Sequence, residues 1–504
     1  MPGDEIPSGD ETDRLHRWGY ARYRDMFNSR QLLGLEASAR AIAWVRDERV
    51  RNALATNLSD LLRYQNMLCR YDTGALKSLD VFSVHGFPVG LVQCESNLLG
   101  ILDPRTGSCV GSGGWANIVE KYRKAKEYCE APFEVGVGRN DRRTVPIRGE
   151  RIGDRASGPG SPKAPRVELH CADASKVDVA PESLDAVLTD PPYYANVQYA
   201  ELMDFCYVWL RRLLGEHIPV LSVASTRHDG DLTGNVNTGK GLDHFAEGLS
   251  SVFQRMAKAL KRGAPFAFTY HHNSLDAYLP VAVAILDSGL VCSASLPCPA
   301  EMSASIHIHG TGSSTVDTVF VCRSTGSVPR RWLPTTPDGI MALVHEDVQQ
   351  LAAGGVAIRE GDIRCIAYGQ ITRLAVWALR ATWDSDGSIG GRMSRVSRQI
   401  EELGVSDEMI GRAQSAFAVE VPAESIARKL EFHDTPKHGR WLNRAEIELS
   451  VLGDQCLDRR LPDIPAVRTE VAAWQAPRNA AHVTINWRFD AQQARAKLRR
   501  LYPS

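Results

Sequence analysis

The chain has 504 residues, with 59 Lys and Arg against 60 Asp and Glu and a formal net charge of −1. That length allows several domains with separate cores, and the balance excludes a globally basic nucleic-acid binder while leaving room for a local basic face. Its 11 cysteines are scattered with no C-x-x-C pair, which argues against a zinc ribbon or a disulfide framework and fits a reducing cytoplasm. The polar first thirty residues hold no signal-peptide core and no long apolar run follows, so neither export nor a membrane span is expected.

Residues 1–13 (MPGDEIPSGDETD) are acidic and rich in Pro, Gly and Ser, which predicts a disordered tail over 1–15. Leu32, Leu35, Ala39, Ile42 and Val45 fall near helical spacing, and a second helix is expected over Val50–Cys69. Val81–Ser96 is broken by Gly and Pro and reads as irregular or edge structure, and Trp115–Tyr128 as an amphipathic helix. Together these give a helical N-terminal region, 16–138, expected to pack on a sheet. Residues 139–166 hold eight Arg or Lys against three acids, with four Gly and four Pro. A solvated linker is the plainer reading, and a basic loop against phosphates the functional one.

Then strands and helices alternate: strands at Arg166–Cys171 and Leu184–Thr189, a helix at Tyr199–Leu214, a Gly/Thr/Asn-rich loop at Ser225–Gly241, and a helix at His244–Leu260. A strand at Pro265–Tyr270, a helix at Leu275–Ser288 and two strands, Leu290–Leu296 and Val316–Cys322, complete the segment. This alternation predicts an α/β sheet over 167–326 with helices on both faces, ending in an antiparallel hairpin. Residues 327–504 read as mainly helical, without repeat or motif.

The most informative run, Thr189-Asp190-Pro191-Pro192-Tyr193-Tyr194, directly follows a buried-type strand. Asp190 can accept hydrogen bonds from an exocyclic amine and so orient its lone pair. Pro191 and Pro192 fix φ and remove two amide donors, stiffening the turn so that a carbonyl can face the same amine. Tyr193 offers a face for an extruded base, an interaction of about 1–3 kcal/mol, against the few kcal/mol that base flipping costs. A turn without catalytic role is the bland alternative. Asp173 is expected to end the preceding strand, where an acid in a methyltransferase-type sheet bonds the adenine amine of the cofactor; a turn or N-cap Asp is the rival. Tyr199, Leu202, Phe205, Cys206, Trp209 and Leu213 share a helix face, read as core packing. Gly111–Gly114 before a helix is a weak anion-nest candidate. Val135-Gly136-Val137-Gly138 lacks the helix and third glycine of a nucleotide loop. His271-His272 and His307-x-His309 lack carboxylates at ligand spacing.

On these residues the chain resembles the large adenine-specific DNA methylases that open with a domain of unknown function and carry a zinc-ribbon insert. The matching stretches are His16–Tyr20, Phe27–Leu32, Asn66–Tyr71, Gly111–Trp115 and, most specifically, Thr189–Arg212 (TDPPYYANVQYAELMDFCYVWLRR). The resemblance covers roughly 16–325. It implies a Rossmann-like S-adenosyl-L-methionine-dependent methyltransferase sheet, DNA as partner, adenine amine methylation with Asp190, Pro191, Pro192 and Tyr193 as the target-amine motif, and a host-defence or restriction-modification setting. The family's glycine-rich cofactor loop and zinc ribbon have no counterpart here. The expectation is therefore an incomplete sheet, completed by a second polypeptide that supplies the cofactor loop. The alternatives are a non-catalytic recognition or assembly subunit and an RNA amine methyltransferase. No metal site is expected, and 327–504 is a candidate for DNA recognition.

Overall fold

A computed structural model describes residues 1–73, 77–84, 86–89, 94–135, 142–145, 168–235, 239–300, 314–324, 333–419 and 473. Three short ribbons come first: β1 (Tyr71–Asp72) with β2 (Lys77–Ser78), β3 (Ile101–Leu102) with β4 (Cys109–Val110), and β5 (Phe133–Val135) with β6 (Arg142–Thr144). The main sheet holds β7 (Val187–Thr189), β8 (Phe266–Tyr270), β9 (Leu290–Pro299) and β10 (Val316–Ser324) in the order β7-β8-β10-β9. β7 is parallel to β8, and β10 is antiparallel to both of its neighbours. The fold of the described residues is mixed α/β.

The helices are α1 (Thr12–Arg17), α2 (Ser29–Ala43), α3 (Glu48–Leu62), α4 (Trp115–Glu130), α5 (Tyr199–Leu214), α6 (Leu242–Ala259), α7 (Leu279–Asp287), α8 (Pro337–Ala353), α9 (Glu360–Leu379), α10 (Ile389–Glu402) and α11 (Asp407–Val419). Their starts are chemically marked. Asn28 accepts the Gln31 amide at 2.9 Å while Gln31 accepts the Asn28 amide at 3.0 Å, a reciprocal capping box for α2. Asp47 caps α3 through the Val50 amide, two residues before the expected start.

Two apolar cores result. The first gathers α2, α3, the residues around Phe27, Val81 and Phe87, and one face of α5: Leu202, Phe205, Cys206 and Trp209. Phe205 stacks on Phe27 at 5.5 Å between ring centroids. The face of α5 is thus core, as its spacing indicates, although Tyr199 at its start remains 45% exposed. The described residues of 16–138 therefore contribute to the core around α5 and not to that of the sheet. The second core joins one face of the sheet (Val187, Phe266, Phe268, Tyr270, Val316, Phe320, Cys322) to α6, α7, α8, α9 and α10. α9 is buried nearly all round, including its polar residues Asp362, Gln370 and Thr372. Asp287, closing α7, accepts from Trp383 Nε1 at 2.9 Å and pairs with Arg392. Hence residues 337–419 belong to the sheet's own core rather than to a separate region beginning at 327; residues 420–472 and 474–504 lie outside the described residues.

Three expectations are corrected. Residues 1–15 are ordered: Ile6 is 4% exposed and Thr12 fully buried. Composition could not show the reason, which lies on α5. The buried Glu201 carboxylate accepts the amides of Asp10, Glu11 and Thr12 at 3.2, 2.9 and 3.2 Å, and Arg227 donates to the Pro7 carbonyl at 3.0 Å. Of the expected strand Arg166–Cys171, residues 168–171 form no strand and Leu169 is 92% exposed; an alternating pattern becomes a strand only where a neighbouring strand takes its amides and carbonyls. Nor do the described helices cover both faces. The residues alternating with the core set, Leu188, Ala267, Val319, Val321 and Leu296, belong to neither core, and Leu188 and Leu296 are 77% and 50% exposed. Of the basic segment 139–166, residues 142–144 form β6, and 139–141 and 146–166 lie outside the described residues. No described helix is long and apolar enough to cross a membrane.

Candidate functional site

β7 ends where the Asp-Pro-Pro-Tyr run begins, so the motif leaves the carboxyl end of an edge strand that, among the described residues, pairs only with β8. Pro191 is buried and Asp190 exposed. The chain then turns: the Asn196 amide donates to the Tyr193 carbonyl at 3.2 Å, and Ala195 takes a φ of 52°, a left-handed conformation that costs a non-glycine residue about 1–2 kcal/mol. The turn is braced by the loop 225–235. The Ala195 amide donates to the Thr233 carbonyl at 2.7 Å, and Gln198 Nε2 donates to the Gly234 carbonyl at 3.1 Å. Gly234 is required here, because a Cβ would lie 2.6 Å from the Tyr194 ring. Tyr193 and Tyr194 thus pack against the sheet core, while Val197, a few residues on, packs against the N-terminal core.

The register lines up the polar groups. Leu188 stands opposite Ala267, so the next residues on that face, Asp190 and Thr269, are neighbours, and Thr269 Oγ1 donates to Asp190 Oδ1. Thr318 stands opposite Tyr270, which places Asp317 beside His271, and His271 Nδ1 is hydrogen-bonded to Asp317 Oδ1. Tyr193 closes the row, with its ring edge-on to His271 at 5.0 Å and to Tyr270 at 5.3 Å. Burial pushes the Tyr193 phenol far above its ordinary pKa, reinforced by the carboxylates of Asp317 and Asp190. Burial first, then Asp190, also raises Tyr199. Asp190, Thr269, His271 and Asp317 therefore share the sheet face that carries no helix, at the end from which the motif departs.

Thr269, His271 and Asp317 are not singled out by sequence reasoning. The histidine pair at 271–272 draws notice only as a metal candidate, and its carboxylate partner is 46 residues away in the chain. The described residues contain no group of three or more His, Cys, Asp or Glu placed to hold a metal.

Asp173 sits in a turn, not at the end of a strand. Its Oδ1 accepts from the Ser175 amide at 3.0 Å and hydroxyl at 2.6 Å, and its Oδ2 pairs with Lys176 at 3.0 Å. Those bonds, Ser175's first, hold its carboxyl down at about 2. The Gly111–Gly114 run is equally occupied. The Gly114 amide donates to Asn117 Oδ1 at 3.2 Å, Gln65 Nε2 donates to the Gly113 carbonyl at 2.7 Å, and a Cβ on Gly114 would lie 2.3 Å from Gly100. Gly113 and Gly114 serve close chain packing, and Gly111 supplies a positive φ in open space. Gly136, Gly138, His307 and His309 lie outside the described residues. A cleft of about 490 Å³ lined by Leu242, Asp276, Leu279 and Met393 includes no motif residue.

No family model, no curated protein and no solved structure matches this chain.

Proposed function

We propose that this chain is the target-amine half of an S-adenosyl-L-methionine-dependent methyltransferase acting on adenine in DNA. The observation that carries the reading is Asp190 at the carboxyl end of β7, its carboxylate hydrogen-bonded on one oxygen by Thr269 and flanked by Tyr193 and Tyr199. Ligands of open α/β sheets bind outside the carboxyl ends of strands. In that position Asp190 and the carbonyl of Pro191 accept the two hydrogens of an exocyclic amine, and its lone pair is left pointing away from both acceptors. A base taken out of the duplex stacks on the tyrosines, which offsets part of the few kcal/mol of unstacking.

Bound S-adenosyl-L-methionine supplies an electrophilic methyl group. The described residues do not fit it: Asp173 is held by Ser175 and Lys176, and the Gly111–Gly114 run closes on its own chain. The cofactor side is therefore assigned to a second polypeptide. The edge of β7, which among the described residues has a neighbour only in β8, and the exposed Leu188 support this, because open strand edges and exposed apolar faces in α/β sheets are ordinarily covered. On this reading the chain contributes half of a Rossmann-like sheet, and the protein works in DNA modification, with host defence as its setting and the cytoplasm as its place.

The test is transfer of labelled methyl from S-adenosyl-L-methionine to unmethylated duplex DNA, by the chain alone and with its co-purifying partner, with RNA as competitor. Transfer only with the partner, lost in Asp190→Ala by about 10²–10³-fold or more, supports the proposal. Transfer unaffected by Asp190→Ala overturns it. The absence of a cofactor cradle favours one rival, a recognition or assembly subunit, which would bind DNA and transfer nothing in any combination.

A further inference from the structure

We infer that β8 is the positioning strand of this site: Thr269 sets the rotamer of Asp190, and His271, held by Asp317, sets the ring of Tyr193. The inference rests on the amine-acceptor reading of Asp190 and adds three residues to it.

Asp190 needs such help because of where it stands. It is exposed and follows a three-residue edge strand with a neighbour on one side only. An exposed aspartate samples several staggered rotamers, and its two oxygens are equivalent until something distinguishes them. Thr269 distinguishes them: its hydroxyl occupies Oδ1, which leaves Oδ2 for the incoming amine. Thr269 can do so because its own position is fixed. It lies on β8, paired on both sides by β7 and β10, and its branched Cβ is stiff about χ1.

Two residues further along β8, on the same face, His271 repeats the arrangement toward the other neighbour. Its Nδ1 is tied to Asp317 on β10, and its ring meets Tyr193 edge-on at 5.0 Å with an interplanar angle of 75°. The two carboxylates thus come from strands on opposite sides of β8, and each is joined to a β8 side chain. Tyr193, three residues after Asp190, sets its ring edge-on to both His271 and Tyr270 of β8. Acceptor and stacking ring are thereby held in one geometry before any base arrives. A misplacement of about 1 Å at a reacting centre costs roughly 10²-fold in rate.

The experiment uses the transfer-competent assembly of the chain with its partner and compares Thr269→Val, Thr269→Ser, His271→Ala and Asp190→Ala. Thr269→Val removes the donor and keeps the shape; the expected result is a fall in kcat of about 10- to 100-fold, with KM for DNA changed less than about 3-fold. Thr269→Ser restores the donor and is expected to recover most of the rate. His271→Ala is expected to weaken capture of the extruded base, read without turnover as a reduced fluorescence rise from 2-aminopurine at the target position. Wild-type kcat in Thr269→Val, or no recovery in Thr269→Ser, overturns the role of Thr269; an unchanged 2-aminopurine signal in His271→Ala overturns that of His271. If Asp190→Ala transfers methyl normally, the amine-acceptor reading itself fails. Should Thr269→Val melt early, the serine variant and the fluorescence assay still decide.

Discussion

The two cores of this molecule are finished to different degrees. The N-terminal core closes on itself: α5 fills it with Leu202, Phe205 and Trp209, and the buried acids on the same helix are saturated. Glu201 collects three backbone amides, and Asp204 accepts from Ser225 Oγ, the Thr226 amide and Thr226 Oγ1 at 2.6–2.8 Å. The sheet core closes on one side only. Its helices all gather on the face of Phe266, Phe268 and Phe320, and the opposite face presents Leu188 and Leu296 to solvent above the row that holds Asp190. The motif runs from one core to the other. The candidate site thus lies beside the sheet face that the described helices leave uncovered.

The largest expected effect strikes the open side. Leu188→Asp should leave the stability of the chain within about 0.5 kcal/mol, as exposed substitutions generally do, yet abolish partner-dependent methyl transfer. Retained transfer would show that the face around Leu188 is not where the partner sits. The closed side should respond in the opposite way. Phe205→Ala is expected to cost about 3–5 kcal/mol in urea unfolding. It should also speed thiol labelling of Cys69 and Cys206, whose thiols burial pushes up to about 12, before Cys292 and Cys322 in the sheet core react; simultaneous labelling of all four would mean that the cores open as one. Glu201→Gln leaves part of the amide cluster at residues 10–12 unmatched, and a loss of about 1.5–3 kcal/mol is expected, with faster hydrogen exchange over residues 4–13 as its local signature. Smallest is Ala195→Gly, which relieves the left-handed turn after the motif and should stabilise by up to about 1 kcal/mol, read as a small rise in the urea midpoint.

How far the sequence alone discloses this molecule depends on the range of each interaction. β8 and β10 are short runs rich in β-type residues, and both strands stand at the expected positions, alternating in burial at the strand period. The apolar face of α5 is equally visible in its spacing, but what it packs against is not, because a helix face does not name its partner. Residues 166–171 show the limit of pattern reading: Arg-Val-Glu-Leu-His-Cys has the alternation of a strand, yet residues 168–171 form none. The ordered N-terminal segment was hidden for a related reason, since the carboxylate that organises residues 10–12 lies about 190 positions later. At the candidate site, the Asp-Pro-Pro-Tyr run declares itself locally. Thr269 and Asp317 do not, because only the pairing of β7, β8 and β10 brings them to Asp190 and His271.

The bare edge of β7 also bears on the economy of the cell. Exposed strand edges with apolar side chains are the surfaces through which chains stick to one another, and chaperones and proteases act on such chains. If a partner covers this edge, copies made in excess of that partner are the ones left exposed to capture and degradation. The abundance of the two halves would then be matched after synthesis, by removal of the unmatched, with Leu188 serving as the mark of a chain that has not found its complement.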